Sequence, residues 1–359
     1  MGRRNLALFI LIIGCIKANR ANALKIEIQS EGQVLVCLEG NKKNVRLFDF
    51  YEEVGRNHQV VFPGNENWAF DKARWAFSQV ESYHPELVES LMKKIRLMPG
   101  QIVYRELTEI SGKEVSHAFG LPKGCRLEKA FYLKLGGEPK YVVREDLWNK
   151  MSTDDQAGLI LGGLLSEEFM GKTPKLNYGH IRSLVRLWSG GGPKIIGLSR
   201  YVNSLEPISE LLSQIRIDDV DYRISSDHPL TVYENGKVKS GVLAENGARY
   251  LYKSLNGFSL EIGNKRGPVK IDFHATGVPR EALLRSEVVE IPIQGKKLKF
   301  KHEVSFYPSG MVKRGFFLSE YGLVLAMSQG RFRRFNKMEY YLGFFDQNGK
   351  LLSARRLSN

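Results

Sequence analysis

The 359 residues are enough for two ordinary domains with sizeable cores. Lys and Arg number 53 against 39 Asp and Glu, a formal net charge of +14. After the first 23 residues no apolar run is long enough to cross a bilayer. The chain also has no CxxC, no GxGxxG after a strand and no GxxxxGK(S/T), which excludes a thiol redox motif, a zinc knuckle and a doubly wound nucleotide fold.

Residues 1–23 read as a secretory signal peptide. Arg3 and Arg4 form its positive end, Leu6–Ile16 is uncharged, and Ala21-Asn22-Ala23 supplies a small-x-small cleavage site. Ile12-Ile13-Gly14-Cys15 also resembles a bacterial lipobox, which would place a lipid on Cys15, and an uncleaved anchor is the third outcome. The expected location is therefore periplasmic, outer-membrane associated or secreted. Export leaves Cys37 and Cys125 as an even pair in an oxidising compartment, where a disulfide would close a loop of 88 residues and contribute about 4 kcal/mol. Two buried thiols filling apolar space are the other reading.

Residues 24–190 predict an α+β domain. Lys25–Ile28 alternates as a strand, Ser30–Gln33 turns, and Val34–Leu38 continues as a second strand. Asn65–Tyr83 predicts a helix, and a second opens at Pro85 with Leu87, Leu91, Ile95 and Met98 at helical spacing. Gln101–Ile110 returns to strand, and 126–144 reads as a hairpin around Gly136-Gly137-Glu138-Pro139. Thr153-Asp154-Asp155-Gln156 has capping-box form and opens a helix to Phe169, and the next places Ile181, Leu184, Val185 and Trp188 on one face. Ser189-Gly190-Gly191-Gly192-Pro193 closes the domain. Residues 191–220 form a bridge whose helix begins at Pro207 and carries Ile208, Leu211, Leu212 and Ile215.

One constellation in this half could carry chemistry. Glu167-Glu168 ends one helix and His180 opens the next, so a carboxylate and an imidazole could bind metal or move protons. HExxH is absent, and acids after an apolar helical run are usually its solvated end. Cys37, the Leu-Phe-Asp-Phe-Tyr-Glu stretch at 47–52, the turn ending at Cys125 and the Ala-x-Leu-Ile-Leu helix at 157–161 resemble a set of uncharacterised exported proteins from predatory Gram-negative bacteria. That set often carries His-Glu where this chain has Gly162 and Gly163, which weakens an enzyme reading, and the resemblance brings no known activity. Ser225-Ser226-Asp227-His228-Pro229 is similar to a block of self-splicing Hint domains, but their opening nucleophile and closing His-Asn are missing.

Residues 221–359 hold 23 Lys and Arg against 13 Asp and Glu, whereas residues 24–220 hold 26 of each. In this basic part a strand, a Gly-closed turn and a second strand recur, with Gly236, Gly277, Gly310 and Gly349 at the turns. Such spacing predicts an antiparallel, repeat-built β-sheet domain. Tyr233 through Gly241 and Phe306 through Gly315 resemble bacterial MORN-variant repeats, and the units at 270–284 and 343–352 are degenerate. The resemblance implies an elongated sheet that acts as a scaffold or binds partners or membranes, with no catalytic residues.

Two basic stretches mark that surface. Lys297, Lys299 and Lys301 alternate with Leu298 and Phe300, and Arg331, Arg333 and Arg334 interleave with Phe332 and Phe335 ahead of Lys337. They suit an anionic lipid surface or an acidic protein, and equally a solvated face that blocks edge pairing. Nucleic acid is discounted for an exported protein. The sequence thus predicts an exported non-enzymatic binding module without cofactor or metal. The alternative is a hydrolase-like or metal-dependent enzyme using Glu168 and His180.

Overall fold

In the computed structural model the apolar alternation after Gly32 becomes two paired strands, β1 (Gly32–Glu39) and β2 (Lys42–Leu47). Val34 faces Leu47 and Val36 faces Val45, so one side of the pair supplies four core aliphatics. The structure describes residues 32–39, 42–54, 62, 67–106, 121–134, 140–170, 172, 177–244, 250–254, 258–263, 269–286 and 288–357. The leader with Cys15, the strand expected at 25–28 and the 136–139 turn lie outside them. Gly32 and Gln33, expected in a turn, already belong to β1, at an irregularity in its pairing.

After α1 (Phe48–Val54) come α2 (Ala69–Val80) and α3 (Pro85–Leu97), the latter with its proline in the first turn. β3 (Ile102–Arg105), β4 (Cys125–Leu133) and β5 (Tyr141–Arg144) complete a five-stranded sheet in the order β2-β1-β4-β5-β3. Only β3 and β5 run parallel. Cys37 and Cys125 stand directly opposite each other on β1 and β4 and form a disulfide.

The short α4 (Glu145–Trp148) leads into α5 (Thr153–Met170), which is buried nearly all round and touches α2, α3 and the first sheet. Its cap differs by one residue from the expected box. Ser152 accepts from the Asp155 N–H and donates back to the Asp155 carboxylate. The other carboxylate oxygen accepts the Leu47 N–H at 2.8 Å, so the cap also ties the helix to β2. Gly163 is required for close approach: a Cβ there would sit 2.4 Å from the Phe131 ring.

α6 (Tyr178–Ser189) buries Ile181, Leu184, Val185 and Trp188. Gly191 and Gly192 then take positive φ and turn the chain into α7 (Gly192–Ile196) and α8 (Leu198–Leu205). The bridging helix expected from Pro207 is absent. Pro207 instead sits in a single 3-10 turn at the end of α8, and Ile215 belongs to a strand. The four apolar residues at helical spacing are divided between a turn, the segment after it and a strand too short to show its own period.

The C-terminal region is antiparallel throughout its named sheets. β6 (Gln214–Ile217), β7 (Val220–Arg223), β8 (Thr231–Val232), β9 (Val238–Leu243) and β12 (Lys270–Asp272) form one sheet, and β10 (Tyr250–Lys253) pairs with β11 (Ser259–Ile262). β13 (Glu281–Leu283), β14 (Val289–Ile293), β15 (Lys296–Phe306), β16 (Val312–Leu318), β19 (Tyr340–Phe345) and β20 (Leu351–Arg356) form the largest sheet. A two-stranded ribbon, β17 (Val324–Ala326) and β18 (Phe332–Arg334), is inserted between β16 and β19. One apolar cluster runs from Val34 to Leu351 and spans both regions.

The four turn glycines all have φ between 77° and 84°. Each donates its N–H to the carbonyl three residues back (Tyr233, His274, Tyr307 and Asp346), and each of those residues donates its own N–H to the carbonyl four residues on. Side chains then connect one turn to the next. Tyr233 Oη donates to the Phe273 carbonyl at 3.0 Å, His274 Nε2 bonds the Phe306 carbonyl at 3.0 Å, and Tyr307 Oη donates to the Phe345 carbonyl at 2.9 Å. Each acceptor immediately precedes the next turn's first residue. Asn235 to the Ala275 carbonyl and Thr276 to the Pro308 carbonyl repeat the pattern two positions later, both at 2.9 Å.

Candidate binding surface

Two places gather polar side chains: the junction of the two regions, and the far end of the largest sheet. At the junction, α3, the end of α5 and residues 211–216 enclose a cleft of about 380 Å³ with Ser90, Glu168, Phe169, Lys172 and Arg216 in its walls. Glu168 accepts from Ser90 at 2.7 Å, Lys94 at 2.8 Å and Lys172. Glu167 accepts from Lys140 at 2.6 Å, Lys94 at 3.2 Å and the Tyr141 hydroxyl. Burial alone would raise both carboxyl groups, but these donors outweigh it and hold each below the usual carboxylate range. Both are thus ionised and paired, a state suited to bracing α5 against α3.

His180 does not join them. Its Nε2 lies 3.3 Å from the Asn177 amide at the start of α6. Among the described residues no group of three His, Cys, Asp or Glu comes together to hold a metal. Gly162 and Gly163 border a void of only about 20 Å³, room for one water.

The histidine that does reach the cleft is His84, which the sequence did not single out. Trp188 Nε1 donates to the Tyr201 hydroxyl at 3.1 Å, and that hydroxyl donates to His84 Nε2 at 3.0 Å. The ring's other nitrogen bonds the Gln214 carbonyl, so His84 is neutral with its proton on Nδ1. Burial pushes its pKa down to about 4. With the Arg216 N–H donating to the Tyr83 carbonyl at 2.9 Å, this chain of bonds covers the outer edge of β6 and fastens the second region to the first.

The expected anion-binding residues divide between two structures. Lys297, Lys299 and Lys301 lie on one face of β15, alternating with buried Leu298 and Phe300. Lys297 is 3.9 Å from Glu290, Lys299 is 3.3 Å from Glu320, and Lys301 lies over the Tyr340 ring. Arg331, Arg333 and Arg334 are on or beside the ribbon strand β18, outside that sheet. Arg333 turns inward, stacking over Phe335 and Tyr341 and donating to the Ala354 carbonyl at 2.8 Å. Tyr341 pairs with buried Phe317, whereas Lys301 pairs with Phe316, so Arg333 packs on the opposite face from the lysines.

Arg331, Arg334 and Lys337 remain exposed, and none makes an ion pair among the described residues. Around them stand three apolar side chains that sequence reasoning could not rank by exposure: Tyr321 at 82%, Phe332 at 73% and Met338 at 68%. These are the most exposed large hydrophobic residues among those described. Only Phe332 carried a signal, its place between arginines. No family model, curated protein or solved structure matches this chain.

Proposed function

We propose that this protein is an exported, non-enzymatic binding module whose C-terminal region is a stack of repeated β units and displays a cationic surface to an anionic partner. The carrying observation is the set Arg331, Arg334 and Lys337, exposed on one ribbon and the segment after it and without acidic partners among the described residues. An exposed charge left unpaired contributes little to folding, whereas several together raise the local concentration of opposite charge and speed encounter. Lys299 and Lys301 stand on the other face of the adjoining sheet, each partly engaged, and do not belong to this set.

The repeat reading is supported by the shared geometry of the four turns and by the Tyr233, His274 and Tyr307 links, each reaching the same position of the following unit. Likeness to MORN-variant repeats belongs to this reading. Export is supported by the leader's residues and by a disulfide, which persists in oxidising compartments. The partner is then a component met outside the cytoplasm.

Retention of the full mature chain on a dextran sulfate matrix tests the surface. Binding is expected to weaken as salt rises and to be largely lost in Arg331→Glu/Arg334→Glu. Retention that ignores both salt and charge reversal would sink the proposal.

A further inference from the structure

Resting on that anionic-surface reading, we infer that the β17–β18 ribbon is a lipid-insertion tip whose partner is an anionic phospholipid bilayer. The ribbon and its flanks combine what a soluble polyanion needs with something it does not. Residues 320–338 contain four cations, Arg331, Arg333, Arg334 and Lys337, and one acid, Glu320. That acid is 3.3 Å from Lys299, and the next one along, Glu339, is 2.7 Å from Arg356. The neighbouring carboxylates are therefore taken by other cations, and the tip's positive charge is uncompensated.

The apolar side chains stand at both ends of the ribbon, as the cations do. Strand alternation puts Phe332 and Arg334 on the outward side of β18, opposite Ala326 and Val324, while Arg333 and Phe335 point in. At one end, Gly322 donates to the Phe335 carbonyl and Ser319 Oγ to the Lys337 carbonyl, which brings the segment carrying Tyr321 alongside the one carrying Lys337 and Met338. Phe332 follows the turn at the other end, next to Arg331. Aromatic and thioether side chains held in water beside unpaired cations gain most where apolar contact and phosphate lie within a few ångströms of each other. The headgroup boundary of a bilayer offers that juxtaposition, and long arginine and lysine stems can follow the apolar groups inward while their charges stay at the phosphates.

The ribbon is also braced to carry such a load. Gln294, at the tight turn between β14 and β15, bonds both the N–H and the carbonyl of Ala326 and the carbonyl of Gly349. Ser328 donates to the Leu351 carbonyl, and Arg333 holds Ala354. The backbone near the tip is therefore bonded into the largest sheet, and it is side chains that the tip offers to the lipid.

Flotation of the full mature chain with vesicles provides the test, using zwitterionic phospholipid alone and the same lipid mixed with phosphatidylglycerol. Wild type should float only with the anionic mixture. Tyr321→Ser/Phe332→Ser/Met338→Ser should lose at least about tenfold in vesicle affinity while keeping its retention on dextran sulfate. All three side chains are exposed, so an unchanged urea midpoint verifies folding. An environment-sensitive fluorophore on Met338→Cys should shift to the blue on anionic vesicles and stay unshifted on dextran sulfate. If the apolar variant binds vesicles like wild type, or wild type binds dextran sulfate but no vesicle, insertion is overturned and the anionic-surface reading survives. If wild type binds neither polyanion nor vesicle, both fall.

Discussion

The two regions use charge in opposite ways. In the first, oppositely charged residues from different segments meet with at least one partner of each pair 10% exposed or less: Arg144 with Glu128, Arg182 with Asp49, Lys72 with Asp154, Lys140 with Glu167. In the second, ion pairs are mostly exposed, as in Lys237 with Asp218 or Lys297 with Glu290, and a cationic surplus is left at the ribbon. Charge in the first region fixes which elements pack together, because a desolvated ion must find its partner. In the second it modifies the surface of a sheet already specified by alternation and turn chemistry. Balanced composition in residues 24–220 and basic excess after 221 are the compositional traces of these two uses.

The largest expected effect tests that contrast directly. Arg144 and Glu128 approach to 2.6 Å with side chains only 4% and 6% exposed. Arg144→Ala would leave Glu128 buried with only Arg126 beside it, and should cost about 3 kcal/mol in urea unfolding. Lys299→Ala removes a half-exposed pair and should stay within about 1 kcal/mol of wild type. Equal costs for the two would erase the distinction.

An effect that reaches the same size only at pH 4, and is smaller between pH 6.5 and 5, concerns the joint between the regions. The pKa of His84 falls from 6.5 to about 4 on folding, so above pH 6.5 the ring is neutral in both states and its bonds to Tyr201 and Gln214 are intact. As pH drops below 6.5 the unfolded chain takes up a proton that the folded chain refuses, and stability is lost on the order of 3 kcal/mol by pH 4. The paired carboxylates, Glu128, Glu167 and Glu168 among them, are depressed and so lose stability at still lower pH. Asp155 is raised by burial and opposes that loss. His84→Gln should flatten the dependence of the urea midpoint between pH 6.5 and 5. An undiminished slope would show that other groups govern it.

Legibility in the sequence followed the range of the forces involved. The hairpin of β4 and β5, the start of α3, the apolar face of α6 and the turn glycines rest on local periodicity and backbone preference, and all are present where expected. The helix predicted from Pro207 failed because two short elements together imitated a longer period. His84 was invisible for another reason: its partners Tyr201 and Gln214 are more than 100 residues away, so nothing local distinguishes it from a surface histidine. The same holds for the ribbon. Its arginines were legible as a run, but that Arg333 turns in to the Ala354 carbonyl while Arg334 turns out depends on which face packs against β19 and β20.

The smallest effect bears on the second region's internal order. Tyr233 and Tyr307 occupy the same position in two turns, and each hydroxyl donates to the carbonyl just before the next turn. Tyr→Phe at either site removes the partly buried bond to that carbonyl and leaves the ring, at a net cost of about 1 kcal/mol, and at Tyr233 the longer, exposed 3.3 Å bond accepted from Arg280 is lost with it. If the units are equivalent, the two costs should match. The two hydroxyls reach different acceptor carbonyls, so the double variant should show their sum within about 0.5 kcal/mol. Independent hairpins have no reason to give matched values, since each would feel only its own surroundings. A cost at one tyrosine and none at the other would therefore favour separate hairpins over a stack built from one repeated contact.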